Sequence, residues 1–283
     1  LQDIGVTVFR INLSHTSITD LKKRIEKIRD VTDVPICLDT EGPQIRTGAI
    51  TNGNMKLVSD SITKISKDSI SGDNDEFNLY PQFIFKQLKV GDTLQIDYDS
   101  ALIKIIEIDS IHAHCRVLNG GVIGANKAVD LNRPIEMDSL TPKDYEAINI
   151  GLNCGIHHFA LSFCESKSVI LKVRSIVGKD KHIIAKIESI RGLNNLSEII
   201  DESDAILIDR GDLSRQVSIE KIPYYQKEII YAANSKGKKV FVATNLLESM
   251  TSNLFPTRAE VSDVYNTIED GADGLVLAAE TAI

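Results

Sequence analysis

The sequence predicts an α/β protein: a (β/α)8 barrel that lacks its first strand and last helix, interrupted by an inserted all-β domain. Three observations predict it. Seven short, near-continuously apolar runs alternate with helical patterns, as buried parallel strands do. Several runs end in a charged or hydroxyl residue, such as Lys186-Ile187-Glu188, Arg210-Gly211-Asp212 and Ala278-Ala279-Glu280-Thr281. In a parallel barrel the C-terminal strand ends share one mouth, where sites form. Finally, residues 48–138 abandon helical periodicity for short β-like pieces.

Taken in order, the strand-like runs are Val6–Leu13, Pro35–Asp39, His157–Phe163, His182–Ile187, Ala205–Ile208, Val240–Thr244 and Gly274–Ala278. Ile18, Leu21, Ile25 and Ile28 keep a helical spacing after the first run. Thr141-Pro142-Lys143-Asp144 reads as a helix cap with proline at the first helical position and an acid at the third. Thr257-Arg258-Ala259-Glu260, directly after Pro256, is a capping box of the same kind. Within the insertion, β-like pieces fall at Met55–Val58, Thr93–Tyr98, Ala101–Ile108, Ile111–Leu118 and Gly121–Ile123. Turn signals lie at Ser71-Gly72-Asp73-Asn74 and Asn119-Gly120-Gly121. The expected domains are therefore a discontinuous barrel, 1–47 with 139–283, and an inserted β-barrel, 48–138.

An open doubly-wound sheet is the rival. It calls for a glycine-rich phosphate turn after its first strand, and the sequence has neither G-x-G-x-x-G nor a Walker A pattern. Functional residues at many different strand ends favour the barrel. A closed barrel needs eight strands; the eighth is expected before Leu1, and the final helix after Ile283.

Composition excludes some functions. The 283 residues are 42% hydrophobic and carry a formal net charge of −8, whereas a nucleic-acid binder presents a basic face. No apolar run approaches the ~20 residues that span a bilayer, and no secretory signal opens the chain. Cys37, Cys115, Cys154 and Cys164 form no C-x-x-C pair, and buried thiols in a reducing cytoplasm are expected.

Chemistry concentrates at the strand ends. Side chains two apart share a face of a strand, so Arg10, Asn12 and Ser14 point one way, and Lys186 and Glu188 do likewise. Their bland reading is barrel filling or ion pairing. Against it, lysine and carboxylate are rarely buried without a role or partner. Glu188 and Asp212 suit Mg²⁺, which takes one or two protein carboxylates, and Lys186 beside them would stabilise a transferring anion. Other features read as structural. His112 and His114 share one face of a strand without an evident third metal ligand, His157-His158 points to both faces, and Lys22-Lys23-Arg24 is a solvated helix face.

The string Asp39-Thr40-Glu41-Gly42-Pro43-Gln44-Ile45-Arg46-Thr47-Gly48 resembles the pyruvate kinase family. So do Phe9-Arg10-Ile11-Asn12-Leu13-Ser14-His15, Ala185-Lys186-Ile187-Glu188, Arg210-Gly211-Asp212-Leu213, Ala243-Thr244-Asn245-Leu246-Leu247-Glu248-Ser249-Met250, Pro256-Thr257-Arg258-Ala259-Glu260 and Asp270-Gly271-Ala272-Asp273. The order matches over almost the whole chain. The family's C-terminal regulatory domain has no counterpart within these residues. The resemblance implies a TIM barrel with a mobile lid, acting on phosphoenolpyruvate and ADP to give pyruvate and ATP, with Mg²⁺ or Mn²⁺ and with K⁺. It implies that Arg10 contacts the transferring phosphoryl group and that Arg46 helps from the lid hinge. Lys186 resembles the lysine that stabilises the enolate, and Glu188 and Asp212 the Mg²⁺ ligands. Gly211 and the Asp212 amide would seat the substrate carboxylate. Thr244 is similar to the threonine at the methyl end of pyruvate, and Glu280 to an acid of that proton relay. Asn12, Ser14, Asp39 and Thr40 look like the monovalent-cation site, and His15 and Lys127 like nucleotide contacts. A homo-oligomer is implied through the Pro256–Glu260 region.

The sequence also departs from the family pattern. Gln44 stands where an acid or lysine is usual, Asn245 follows Thr244 in place of glutamine, and Ala278-Ala279 replaces a Ser-Gly pair. Ser214-Arg215-Gln216 replaces Gly-x-Glu, and Tyr98-Asp99-Ser100-Ala101 lacks the customary Asp-Asp-Gly. These changes keep two alternatives open: a related enzyme that passes an enolate or phosphorylated acid to another acceptor, and a non-catalytic binding module.

Overall fold

The computed structural model describes residues 2–73, 75–98, 100–133 and 135–281. Asn74 of the predicted turn and Asp99 of the departing segment lie outside the described residues. The chain divides into two compact units, Leu1–Pro43 with Asp138–Ile283, and Gln44–Met137.

Among its described residues the first unit holds seven strands: β1 (Phe9–Asn12), β2 (Ile36–Asp39), β3 (His158–Leu161), β4 (His182–Ile187), β5 (Ala205–Asp209), β6 (Lys239–Ala243) and β7 (Gly274–Val276). They pair in parallel, in chain order, as one sheet with β1 and β7 at its edges. Each predicted run coincides with one strand to within a few residues at either end. The sheet curls as a half-barrel.

Helices connect the strands: α1 (Ile18–Arg29), α2 (Pro142–Asn153), α3 (Lys167–Val177), α4 (Ile190–Asn194), α5 (Leu196–Glu202), α6 (Arg210–Leu213), α7 (Ile222–Ser235) and α8 (Arg258–Glu269). Their starts follow from hydroxyl caps. Ser17 accepts from the Asp20 amide, and Thr141 and Thr257 form capping boxes with Asp144 and Glu260. Leu21 and Ile25 of α1 and Val169, Ile170 and Val173 of α3 are buried at helical spacing. They pack on one face of the strands, with Ile11, Leu38, Phe159, Ile183, Ala185, Ile187, Ile206, Ile208, Val240 and Val242. Strand alternation therefore turns Arg10, Cys37, Asp39, Lys186 and Asp209 to the other face. That single rule carries the charged residues to the mouth.

The second unit has a different plan. A seven-stranded mixed sheet runs in spatial order 129–131, 93–96, 101–108, 112–119, 62–66, 76–80, 46–47, with 54–57 and 121–124 as a separate antiparallel pair. Among the described residues only 62–66 and 76–80 pair in parallel within that sheet. The Val129 amide donates to the Ile45 carbonyl and the Thr47 amide to the Lys127 carbonyl, both at 2.8 Å. These bonds bring the first strand back to the last, so the sheet is a nearly closed barrel. Its interior is Ile65, Phe77, Leu94, Ile96, Ile103, Ile105 and Val117, all fully buried. His112 pairs with Glu76 at 3.1 Å and His114 with Asp109 at 2.9 Å, so each ring has a carboxylate partner.

Cys37, Cys115 and Cys164 are buried free thiols, and Cys154 is half-buried. Burial first, and then the Asp39 charge, pushes the Cys37 thiol up to about 12. Among the described residues no helix is long and apolar enough to cross a membrane.

Candidate active site and metal centre

The C-terminal ends of β1 to β6 deliver one connected polar cluster. At its centre, Lys186 is 4% exposed, and Asp39, Glu188 and Asp209 are also buried. The Lys186 ammonium lies 2.8 Å from Glu188 Oε1, 3.3 Å from Asp39 Oδ1 and 3.5 Å from Asp209 Oδ2. It donates to the Ser162 hydroxyl at 3.1 Å. Arg10 donates to Asp39 Oδ2 at 2.9 Å. Burial works against the lysine's charge, but Asp39, Glu188 and Asp209 together outweigh it and hold the ammonium protonated well above the ordinary lysine range.

The carboxylates diverge. Desolvation, reinforced by Asp209 and Asp212, raises Glu188 to about 8 despite Lys186. Desolvation and Asp209 also raise Asp212, opposed by Arg215 at 3.0 Å. Asp209 is desolvated too, yet Lys186 and Arg10 pull it below the usual carboxylate range. Oxygens of Glu188, Asp209 and Asp212 lie within 4.8 Å of one another. Glu188 Oε2 accepts the Phe163 amide at 2.5 Å. Its Oε1 is buried, with the Lys186 ammonium 2.8 Å away. Hard carboxylate oxygens on three acids, two of them, Glu188 and Asp212, reluctant to ionise beside their neighbours, form a set that fits Mg²⁺.

Backbone geometry builds the rest. Thr244 and Asn245, after β6, have φ of +68° and +52°, a left-handed turn that a β-branched residue rarely takes. Arg210 pins it, with Nη2 donating to both carbonyls at 2.8 Å and Nε to the Thr244 carbonyl at 3.1 Å. The turn presents the Thr244 hydroxyl, which accepts the Gly211 amide at 2.7 Å and lies 3.1 Å from Asp209 Oδ1. Gly42 also has a positive φ, +72°, and a Cβ there would come within 2.9 Å of Ser162 Cβ. The Asp144 carboxylate, fully buried, holds that segment by accepting the Glu41, Gly42 and Thr141 amides.

A model of the pyruvate kinase barrel domain matches residues 1–283. The chain belongs to the pyruvate kinase family. It is 37% identical to pyruvate kinase of Thermotoga maritima over 290 residues, 99% of this chain and 62% of that relative. The corresponding enzyme of Clostridium perfringens is 36% identical, over 99% of this chain and 61% of the relative. That of Sporosarcina psychrophila is 35% identical, over 100% and 50%. The chain thus spans between half and two thirds of the length of these relatives.

Arg10, Asp39, Lys186, Glu188, Asp212, Gly211 and Thr244 fall in the connected cluster. Asn12 Oδ1 accepts the Ser14 amide at 2.8 Å, and Thr40 Oγ1 accepts the Ser162 amide at 2.9 Å. Glu280 Oε2 accepts the Ala278 amide at 2.7 Å and its Oε1 the Leu247 amide at 3.3 Å. The Gly211 amide, expected at a substrate carboxylate, donates to Thr244. His15 is exposed. Arg46 and Lys127 belong to the second unit, where Arg46 donates to Gln44 Oε1 at 2.6 Å and Lys127 pairs with Asp97 at 3.1 Å. Asp209, Ser162 and the anchoring role of Arg210 lie outside the residues expected from the sequence. A polar residue one step beyond an apolar run was the available signal for Asp209.

Proposed function

We propose that this protein transfers the phosphoryl group of phosphoenolpyruvate to ADP, forming pyruvate and ATP. The observation that carries the reading is the buried Lys186 ammonium, kept charged by three carboxylates and hydrogen-bonded to Ser162. A fixed, water-poor cation of this kind stabilises negative charge as it develops on an enolate oxygen or a phosphoryl group in flight. Arg10, anchored by Asp39, adds a second fixed cation for the phosphoryl oxygens. Phosphoryl transfer depends on positioning and charge neutralisation more than on covalent help, and both cations supply that.

Glu188 and Asp212 would hold the divalent ion, Mg²⁺ or Mn²⁺. When bound, that ion neutralises the phosphoryl and carboxylate oxygens of the substrate. The Thr244 hydroxyl is assigned to the methyl end of the enolate, and Glu280 to the edge of that region. Gly211 receives the substrate carboxylate once the bond to Thr244 gives way. Asn12, Ser14, Asp39 and Thr40 are the proposed K⁺ ligands. His15, Arg46 and Lys127 are assigned to nucleotide and phosphoryl contacts on the strength of the family motifs. Free thiols agree with a cytoplasmic setting.

The test is a coupled assay of the full-length protein with phosphoenolpyruvate, ADP and Mg²⁺, run in K⁺ and in Na⁺. Pyruvate forming in step with ATP is expected. No pyruvate in either salt would sink the reading.

A further inference from the structure

Asp209 closes β5 with a carboxylate that none of the recognised motifs includes. It is 5% exposed. Oδ1 lies 3.1 Å from the Thr244 hydroxyl and Oδ2 3.5 Å from the Lys186 ammonium. It therefore joins the cation assigned to the enolate oxygen with the hydroxyl assigned to the methyl end. Packing leaves little freedom there: a Cβ added to Gly211 would meet Thr244 Oγ1 at 3.3 Å and Asp209 Oδ1 at 3.5 Å.

The Thr244 hydroxyl has one proton to place. Its oxygen already accepts the Gly211 amide. The proton has two acceptors in reach, the neutral Ala243 carbonyl at 2.6 Å and the Asp209 carboxylate. A carboxylate is the stronger partner, since hydrogen bonds to ionised acceptors are roughly twice as strong as neutral ones. Arg210 fixes the Thr244 backbone through its carbonyl, so the one remaining freedom is rotation of the side chain, and Asp209 faces it. Glu280 is differently occupied, with each oxygen taken by a backbone amide. Its geometry is that of a latch on the Ala278 and Leu247 segments.

We propose that Asp209 is a positioning residue for the proton-delivery end of the site, aiming the Thr244 hydroxyl and fixing it relative to Lys186. This rests on the phosphoenolpyruvate reading above. It forms and breaks no bond of its own; its effect passes through Thr244.

Asp209→Ala and Asp209→Asn in the full-length protein test it. Two rates are followed: exchange of pyruvate methyl protons into D2O with Mg²⁺, by NMR, and steady-state transfer to ADP. Asp209→Ala is expected to slow methyl exchange and kcat by about tenfold or more, with KM for phosphoenolpyruvate within about threefold, the pattern of a lost transition-state interaction. Asp209→Asn keeps an acceptor oxygen for the hydroxyl and is expected to recover most of the exchange rate. Wild-type exchange in Asp209→Ala, or no recovery in Asp209→Asn, overturns the proposal. If the wild-type protein itself neither exchanges nor transfers, the phosphoenolpyruvate reading has failed, and crystal structures of the two variants decide the positioning role alone. Thr244 Oγ1 leaving the Gly211 amide in Asp209→Ala but not in Asp209→Asn supports it; an unmoved Thr244 in Asp209→Ala overturns it.

Discussion

The concave side of the first unit's sheet buries Asp39, Lys186, Glu188 and Asp209 beside one another, whereas the second unit fills its barrel with Ile65, Phe77, Leu94, Ile103 and Val117. The second unit also holds a buried acid, Asp92, but pairs it with Arg133, whose side chain is 28% exposed and keeps contact with water. Both interiors are made by strands, and the same alternation rule governs both. A buried ion pair seldom adds stability over well-packed apolar residues of the same volume. Stability alone would therefore have filled the first sheet as it filled the second. The difference marks where the chain spends stability on chemistry.

The strongest way to break this comparison is Lys186→Met. Removing a fixed cation from the charge-developing site is expected to lower kcat by about 100- to 1,000-fold or more. It also strands buried carboxylates, at a cost of about 3–5 kcal/mol in folding stability. Mg²⁺ binding should survive, because Glu188 and Asp212 remain. Calorimetric titration with Mg²⁺ and urea unfolding check the two halves, and transfer at the wild-type rate would reject the assigned role.

Phe77→Ala probes the other interior. Phe77 is fully buried, and truncating such a ring costs about 3–5 kcal/mol. The loss should be confined to amides of residues 44–137 in hydrogen exchange, and Mg²⁺ should not restore it. Recovery by Mg²⁺ would mean that the two interiors do not differ as argued. Mg²⁺ itself gives a smaller effect. At a hundredfold excess over its Kd it should stabilise the wild-type protein by about 2.7 kcal/mol, with protection gained at β4 and β5. Asp212→Asn should remove most of that gain, and an equal thermal shift in this variant would reject Asp212 as a ligand.

Much of the first unit was legible because buried parallel strands are apolar on both faces, which makes each a short continuous run. The second unit was less so. The strand 62–66 carries Thr63 and Ser66 buried, and 76–80 carries Asn78. Thr63 shares the inward face with Ile65, and its Oγ1 donates to the Asp75 carbonyl, so a polar residue serves the backbone at a position where alternation asks for an apolar one; Asn78, on the face opposite Phe77 and Leu79, is buried with its Oδ1 accepting the Ile70 amide. The strand 129–131 is too short to carry a period. In the site, Lys186 and Glu188 were legible as a pair two residues apart on one strand. Asp209 was not, because the apolar run was ended at Ile208 and the next motif began at Arg210. Ser162 is an ordinary strand-end serine until Lys186, from another strand, donates to it. Contacts between strands far apart in sequence are what local pattern omits.

The smallest expected effect sharpens the comparison within the first unit, by separating a carboxylate that gains from its surroundings from one that loses. Glu188, buried beside like charges, is raised. Glu260, at the start of α8, accepts the Ser249 and Thr257 amides, both at 2.7 Å, and their hydroxyls, and these bonds hold it down to about 2. A folded value below the unfolded one of 4.5 means that the unfolded chain binds the proton more readily. The stabilisation is therefore full above about pH 4.5 and is lost as pH falls toward 2. Glu260→Gln, which cannot ionise, should lower stability slightly at pH 7 and give a shallower decline across that acid window. Urea unfolding of both proteins from pH 2 to pH 7 measures the gap. It should close as pH falls, since a protonated Glu260 and the variant's neutral amide then make similar bonds. Curves that stay parallel would mean that the cap, unlike the buried cluster, owes nothing to charge.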